Sequence, residues 1–209
     1  EDAGGAHGSN RLGGNGVANS TVYGGIAGDV MAADAQKMGA LHDPDETILG
    51  QELARAIIPF SAKPGNVQEL RVRLMDAMWD DVGVMRDAAG LKRGIEKIAS
   101  LKSDMENVGV SGDNLAFNLS WHDWLSLQSL IDTSEVIAKA GLSRENSRGA
   151  HFREDFPDAG SLEDSYFTIA TSGDKGMEVN REAVKFTIVK PGESLLGADE
   201  AETLVEAAQ

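Results

Sequence analysis

The chain has 209 residues, enough for one domain with a sizeable core or two small ones. Its net charge of −15 leaves no basic face for nucleic acid and disfavours docking on an anionic lipid surface, so the acidity serves solubility. With no Cys there are no disulfides, thiolate nucleophiles, Cys-held iron–sulfur clusters or Cys-type zinc sites, and no window approaches the ~18 apolar residues of a membrane span.

Residues 1–16 read as a glycine-rich loop, with Arg11 beside Gly13-Gly14. Residues 17–39 follow as a helix of small residues, with Val17, Val22, Ile26, Val30 and Met31 near one face. Gly24, Gly25 and Gly28 each weaken that helix by roughly 1 kcal/mol against Ala, and Gly39 is a natural stop. His42-Asp43-Pro44-Asp45-Glu46 is an acidic break that marks a boundary. A short helix is predicted over 47–58, closed by Pro59 and Pro64. Asn66 then caps an amphipathic helix carrying Val67, Leu70, Leu74 and Met78. Leu91, Ile95, Ile98, Leu101 and Met105 make a second stripe. Asn118 or Ser120 opens a third long helix with Trp121, Trp124, Leu127, Ile131 and Ile137 apolar, ending near Gly141. Three such helices with short connections predict a bundle. Beyond an Arg-rich stretch at 144–155, residues 166–171 and 184–189 read as strands of a hairpin or small sheet. The acidic, Ala-rich tail from 198 reads as a last helix or a frayed end.

On residues alone, the opening loop supports two readings equally. A cofactor-contacting loop would use Gly13-Gly14 for close approach and the free N–H groups and positive dipole end of the next helix for a developing negative charge. Arg11 would add a planar fork for a carboxylate. The alternative is a plain loop with a surface Arg. A P-loop and a dinucleotide fingerprint are both excluded by the missing Gly-Lys-Ser/Thr ending and the missing preceding strand. In 144–155, Arg144, Arg148, His151 and Arg153 read as a buried ion-pair network, although Arg153 with Glu154 and Asp155 also fits a solvated patch. His42 reads as linker rather than metal ligand, His122 as helix surface, Trp121 and Trp124 as core, and Asp80-Asp81 as solvated charge.

Two segments carry a resemblance. Residues 1–28, centred on His7-Gly8-Ser9-Asn10-Arg11-Leu12-Gly13-Gly14-Asn15, resemble the flavin-contacting stretch of the succinate dehydrogenase/fumarate reductase flavoprotein family. Ser143-Arg144-Glu145-Asn146-Ser147-Arg148-Gly149-Ala150-His151-Phe152-Arg153-Glu154-Asp155-Phe156-Pro157 resembles a second signature of that family, in the same order around a helical region. The resemblance spans the whole chain but only about the last third of such a flavoprotein. It implies FAD as cofactor, with Glu1, Asn15, Gly16 and Val17 in contact with it. It implies that Arg11 binds a carboxylate of succinate or fumarate, that His7 is a weaker substrate contact, and that hydride passes between substrate and flavin N5. The family's catalytic proton donor and dinucleotide-binding fold lie upstream, so no catalytic or metal-binding residue is expected here and the fragment alone is expected to be inactive. Gly16-Val17-Ala18-Asn19 stands where respiratory members usually have Ser-Leu-Leu-Asp, and the Glu1–Arg11 interval is one residue shorter than theirs. Both departures point towards a soluble or archaeal-type relative.

The expected fold class is therefore mainly α: a flavin-contacting loop and helix, then a three-helix bundle, then a small β hairpin or sheet region. The expected units are 1–42 as the end of an FAD-binding domain, 43–143 as the helical bundle, and 144–209 as the Arg-rich segment, small β region and acidic tail. The implied partners are a small dicarboxylate and an iron–sulfur subunit. The implied location is cytoplasmic, peripheral on the inner face of the membrane through partner subunits. L-aspartate oxidase and adenylylsulfate reductase are sister alternatives. A non-catalytic helical module that binds an iron–sulfur subunit or assembly factor is the alternative of a different class.

Overall fold

The computed structural model describes His7, Arg11 and residues 13–173 and 176–193. Helix α1 runs Asn15–Met38 and stops at Gly39, whose φ of 69° is left-handed and whose N–H donates to the Ala35 carbonyl. No residue of α1 is buried among the described residues. Helix α2, Glu46–Ile57, starts where the Asp45 carboxylate accepts from the Thr47 and Ile48 amides. It passes into a 3-10 turn, Ile58–Phe60, whose Pro59 is buried. Trp121 ties this end down: its indole N–H donates to the Ala56 carbonyl at 2.7 Å, and its ring meets Phe60 edge-on at 5.5 Å.

The bundle follows. Helix α3, Val67–Val82, is capped by Asn66, whose side chain accepts from the Glu69 amide. Helix α4, Ala88–Glu106, is capped by Asp87, and helix α5, Leu119–Ser143, by Asn118. Their apolar stripes meet in one core that includes Leu70, Leu74, Leu91, Ile98, Leu101, Trp124, Leu127 and Ile131. Each such side chain contributes about 1.5–3 kcal/mol by leaving water. The Trp124 indole N–H is satisfied by the Val108 carbonyl at 2.9 Å, so this Trp and the half-buried Trp121 are core, as the helical spacing predicts. His122 is exposed.

Gly94 sets how closely α3 and α4 approach, because a Cβ there would lie 2.6 Å from Val82 Cγ2. Next to that contact Asp81 is only 5% exposed, which corrects the expectation of a solvated Asp80-Asp81 pair. Its carboxylate takes Arg93 Nε at 3.1 Å and Lys97 Nζ at 2.6 Å. Burial opposes its ionisation, but the hydrogen bonds and charges of Lys97 and Arg93 outweigh it and hold the carboxyl below the usual range. The two cations come from one face of α4, a tertiary fact that local sequence does not carry.

Two small sheets complete the fold. Strand β1, Met85–Arg86, pairs in parallel with β2, Phe152–Arg153, a link between distant segments that periodicity cannot reveal at two residues per strand. Strand β3, Tyr166–Gly173, pairs antiparallel with β4, Gly176–Ala183, with Gly173 opposite Gly176. The first strand of the hairpin is where the sequence places it, but the second precedes the expected 184–189 segment. The register across Gly173 and Gly176 assigns partners from 176 onwards, and Met177 and Val179 alternate half-buried with exposed polar neighbours. The more β-branched run that follows leaves the ladder after the Val184 N–H reaches the Ser165 carbonyl.

Candidate functional site

The start of α1 is built for close approach. Its N-cap is Gly14, with φ of 83°, a conformation that disfavours any side chain, and among the described residues no side chain caps the helix. The Gly14 carbonyl accepts from Val17 and Ala18 at 3.1 and 3.2 Å. The amides of the first turn are therefore held in helical geometry without a side-chain acceptor, which is the arrangement that favours an anionic or electron-rich edge. A Cβ built at Gly13 or Gly14 would meet no described atom within 4 Å, whereas one at Gly16 would run into the Arg11 guanidinium. Arg11 is exposed and lies against the first turn through the gap that glycine leaves at position 16.

The structure brings His7 to the same turn. Its Nε2 lies 3.0 Å from the Asn19 side-chain amide nitrogen, one turn into α1. Asn19 stands out in the sequence only as a departure from the respiratory pattern. Here it anchors the loop, and its spacing of four from Asn15 is the local signal that puts it on the same face. Asn15 and Val17 are exposed and Gly16 is half-buried, so Arg11, His7, Asn15, Gly16 and Val17 all converge on the helix start. Glu1 lies outside the described residues.

The Arg-rich segment is organised differently from the expected ion-pair network. Among the described residues, Arg153 makes an ion pair and Arg144 and Arg148 do not. Arg153 is 1% exposed, which rules out the solvated-patch reading. Its Nε and Nη2 donate to the two Asp155 oxygens, each at 2.7 Å. Its Nη1 donates to the carbonyls of Gly141, Leu142 and Arg144 at 3.0, 3.2 and 3.1 Å, which closes the end of α5. Asp155 also accepts from the Ala88 amide at 3.0 Å, at the start of α4. The Arg153 guanidinium holds the Asp155 carboxyl down at about 2.

The other cations bind carbonyls and hydroxyls. Arg144 donates to Asn146 Oδ1, the Tyr166 carbonyl and Thr168 Oγ1, and its guanidinium stacks 4.7 Å from the Tyr166 ring centre. Arg148 donates to Ala159 and Ser161 carbonyls and to Ser165 Oγ, which shapes the 159–165 loop. Arg86 donates to the Val82 and Gly83 carbonyls and meets His151 Nδ1 at 2.9 Å. His151 Nε2 lies 3.2 Å from the Arg144 carbonyl. A guanidinium only donates and a carbonyl only accepts, so this geometry selects the neutral imidazole with its proton on Nε2. Burial pushes the His151 pKa down, against the pull of the Arg144 carbonyl, and the charges of Arg86, Arg144 and Arg153 push it further down. Neighbouring sequence could flag these arginines but not their distant acceptors, such as the Tyr166, Ala159 and Ser161 carbonyls and the Thr168 and Ser165 hydroxyls.

Comparison with known proteins gives a consistent set of likenesses. The family model described as fumarate reductase flavoprotein C-term matches residues 71–195. A FAD-dependent oxidoreductase from Methanocaldococcus jannaschii, itself uncharacterised, is 34% identical over 160 residues, 76% of this chain and 28% of that protein. A polypeptide of the CoM/CoB fumarate reductase from Methanothermobacter marburgensis is 33% identical over the same shares of each chain. The structure of Mycobacterium smegmatis Sdh1 in complex with UQ1 superposes with a TM-score of 0.79 at 30% identity, over 97% of this chain and 34% of that one. The chain thus spans about a third of the length of the relatives it matches.

Proposed function

The chain belongs to the fumarate reductase/succinate dehydrogenase flavoprotein family, and from that premise we propose that it supplies the C-terminal part of an FAD-dependent oxidoreductase interconverting succinate and fumarate. The observation that carries this reading is Arg11 packed against the uncapped, glycine-lined start of α1. The residues present fit a flavin edge: Asn15, Gly16 and Val17 offer backbone to a flat ring, and among the described residues no side chain caps the helix amides. When bound, FAD would exchange hydride with the substrate at N5.

The roles of this chain's own residues follow from charge and geometry. Arg11 holds one substrate carboxylate through its planar fork and keeps the dicarboxylate in register with the ring. The N-terminal end of α1, equivalent to roughly half a positive charge, stabilises negative charge at the ring edge beside it. His7, tied to Asn19, positions the loop that carries Arg11. Glu1 completes the cofactor contacts. The proton donor belongs to the remainder of the flavoprotein, so the fragment alone does not turn over substrate. Residues 1–42 are assigned to the end of the FAD-binding domain, 43–143 to the bundle, and 144–209 to the Arg-rich segment, small β region and acidic tail. An iron–sulfur subunit is the proposed partner. No described helix is long and apolar enough to cross a membrane, and membrane association would come through partner subunits.

Replacing Arg11 with Met in the intact flavoprotein tests the reading. Losing two charge-assisted hydrogen bonds at about 1.5–3 kcal/mol each lowers kcat/KM for fumarate by roughly a hundredfold to ten-thousandfold. Flavin content should stay unchanged. Unaltered turnover would defeat the assignment and favour the non-catalytic module.

A further inference from the structure

A cavity of about 590 Å³ opens between the end of α5 and β3, with Arg86, Arg144, Arg148 and His151 on its wall. Its remaining lining is mostly apolar, with Leu162, Phe167 and Phe186 among it, and no carboxylate lines it among the described residues. Arg181 adds a further cation, its guanidinium 4.8 Å from the centre of the same Tyr166 ring that Arg144 covers. The ion pairs made by arginines among the described residues belong to Arg55, Arg73, Arg93 and Arg153, so the arginines around this cavity have no anionic partner there. In a chain of net charge −15, such a cluster runs against the overall composition. A cavity of about 300–1,000 Å³ with apolar walls and a few convergent polar groups is the usual form of a small-molecule site.

Two donors at the cavity are left for an acceptor. Arg148 commits all three guanidinium nitrogens to Ala159, Ser161 and Ser165. Arg86 and Arg144 use Nε and Nη1 on protein groups, and each leaves Nη2 uncommitted among the described residues. Both guanidiniums are already fixed, so a ligand would not have to order them. Neutral His151 donates from Nε2 to the Arg144 carbonyl and holds Arg86 in place. Two oxygens suit two donors, and the apolar wall suits a hydrocarbon body; phosphate or sulfate would leave further oxygens to be satisfied beside Leu162 and the two Phe side chains.

We propose that this cavity is a carboxylate site, in which Arg86 and Arg144 take the carboxylate and the wall of Leu162, Phe167 and Phe186 takes an apolar, ring-sized body. The reading is independent of the flavin assignment. The carboxylate arrives either on a free aryl acid or on an Asp or Glu side chain of a neighbouring polypeptide segment, and the test separates the two. The intact flavoprotein is titrated with para-fluorobenzoate and, in parallel, para-fluorobenzamide, both followed by fluorine NMR. For a free ligand, the acid binds roughly tenfold to a hundredfold more tightly than the isosteric amide. Leu162→Glu, at an exposed position, then abolishes acid binding by placing a carboxylate inside the cavity without lowering Tm. If the acid is excluded and a crystal structure of the intact flavoprotein finds an Asp or Glu against Arg86 and Arg144, the polypeptide supplies the group. Equal binding of acid and amide overturns the proposal, as does exclusion of the acid with no carboxylate at those arginines. The acid–amide comparison needs no variant, so it stands even if Leu162→Glu misfolds.

Discussion

The α1 arm and the α3–α5 bundle are both helical, yet they are held by different physics. In the bundle every helix has a side-chain cap at its start and a buried stripe, and the arginine at the far end of α5 is sealed from water. In α1 no residue is buried, the N-cap is a bare glycine, and Val17, Tyr23 and Met31 stay at least 62% exposed among the described residues. A helix of this kind draws on propensity alone, which is marginal even at favourable lengths. The lesson is a division of labour: the bundle carries stability, whereas the arm carries the groups proposed to meet the flavin and substrate.

The sharpest way to break that division is to compare two arginines. Arg153→Met should lower the unfolding free energy of the chain by about 3–5 kcal/mol, because it takes a buried guanidinium away from its Asp155 partner and from three carbonyls. Arg11→Met should change it by no more than about 1 kcal/mol, the scale of interactions made by an exposed charged side chain. Urea titrations of the two variants decide; equal shifts would erase the distinction. Hydrogen exchange sharpens it further. Amides of α1 in the isolated chain should exchange about a thousandfold faster than those of α4 and α5, reflecting local rather than global opening.

A single substitution should even act with opposite sign in the two regions. Gly94→Ala forces a methyl against Val82 and should cost about 1–3 kcal/mol. Gly28→Ala, with no described atom within 4 Å of its Cβ, should stabilise α1 by about 1 kcal/mol. Thermal melts followed by circular dichroism check the first, and exchange rates in α1 check the second.

The smallest expected effect is in acid. Asp155 has its pKa lowered from 3.8 to about 2 in the fold, so its contribution is complete above the unfolded value and is lost as pH falls towards 2. Asp81 is shifted in the same direction. Wild type should therefore lose stability between about pH 4 and pH 2, and Asp155→Asn should flatten that part of the profile. An unchanged acid slope in the variant would show that the Arg153–Asp155 pair does not set it.

Much of the fold could be read before the structure. Asn66, Asn118 and Gly39 sit where caps and stops were expected, and the stripes at Leu70–Leu74 and Ile98–Met105 are core. These signals are local, so one sequence holds them. The hairpin's second strand lies before the 184–189 segment that β propensity favours, because the ladder sets Gly176 opposite Gly173. The burial of Asp81 and the carbonyl partners of Arg144 and Arg148 were invisible because each depends on a neighbour from another segment. Arg11 and His7 were visible as residue types beside a glycine turn, but their roles came from resemblance. The Asn19 contact and the lie of Arg11 over Gly16 needed coordinates.

The Arg153–Asp155 pair also fixes an order of events. Asp155 meets the first amide of α4, and Arg153 meets the last carbonyls of α5, so these ties between two helix ends form only when residues 153–155 arrive. The parallel pairing of Met85 with Phe152 imposes the same wait across a long stretch of chain. A chain emerging from the ribosome could pair α3 with α4 early, but it could not latch the bundle until that short segment had cleared the exit tunnel. Truncation just before Arg153 would thus yield three helices with no clasp.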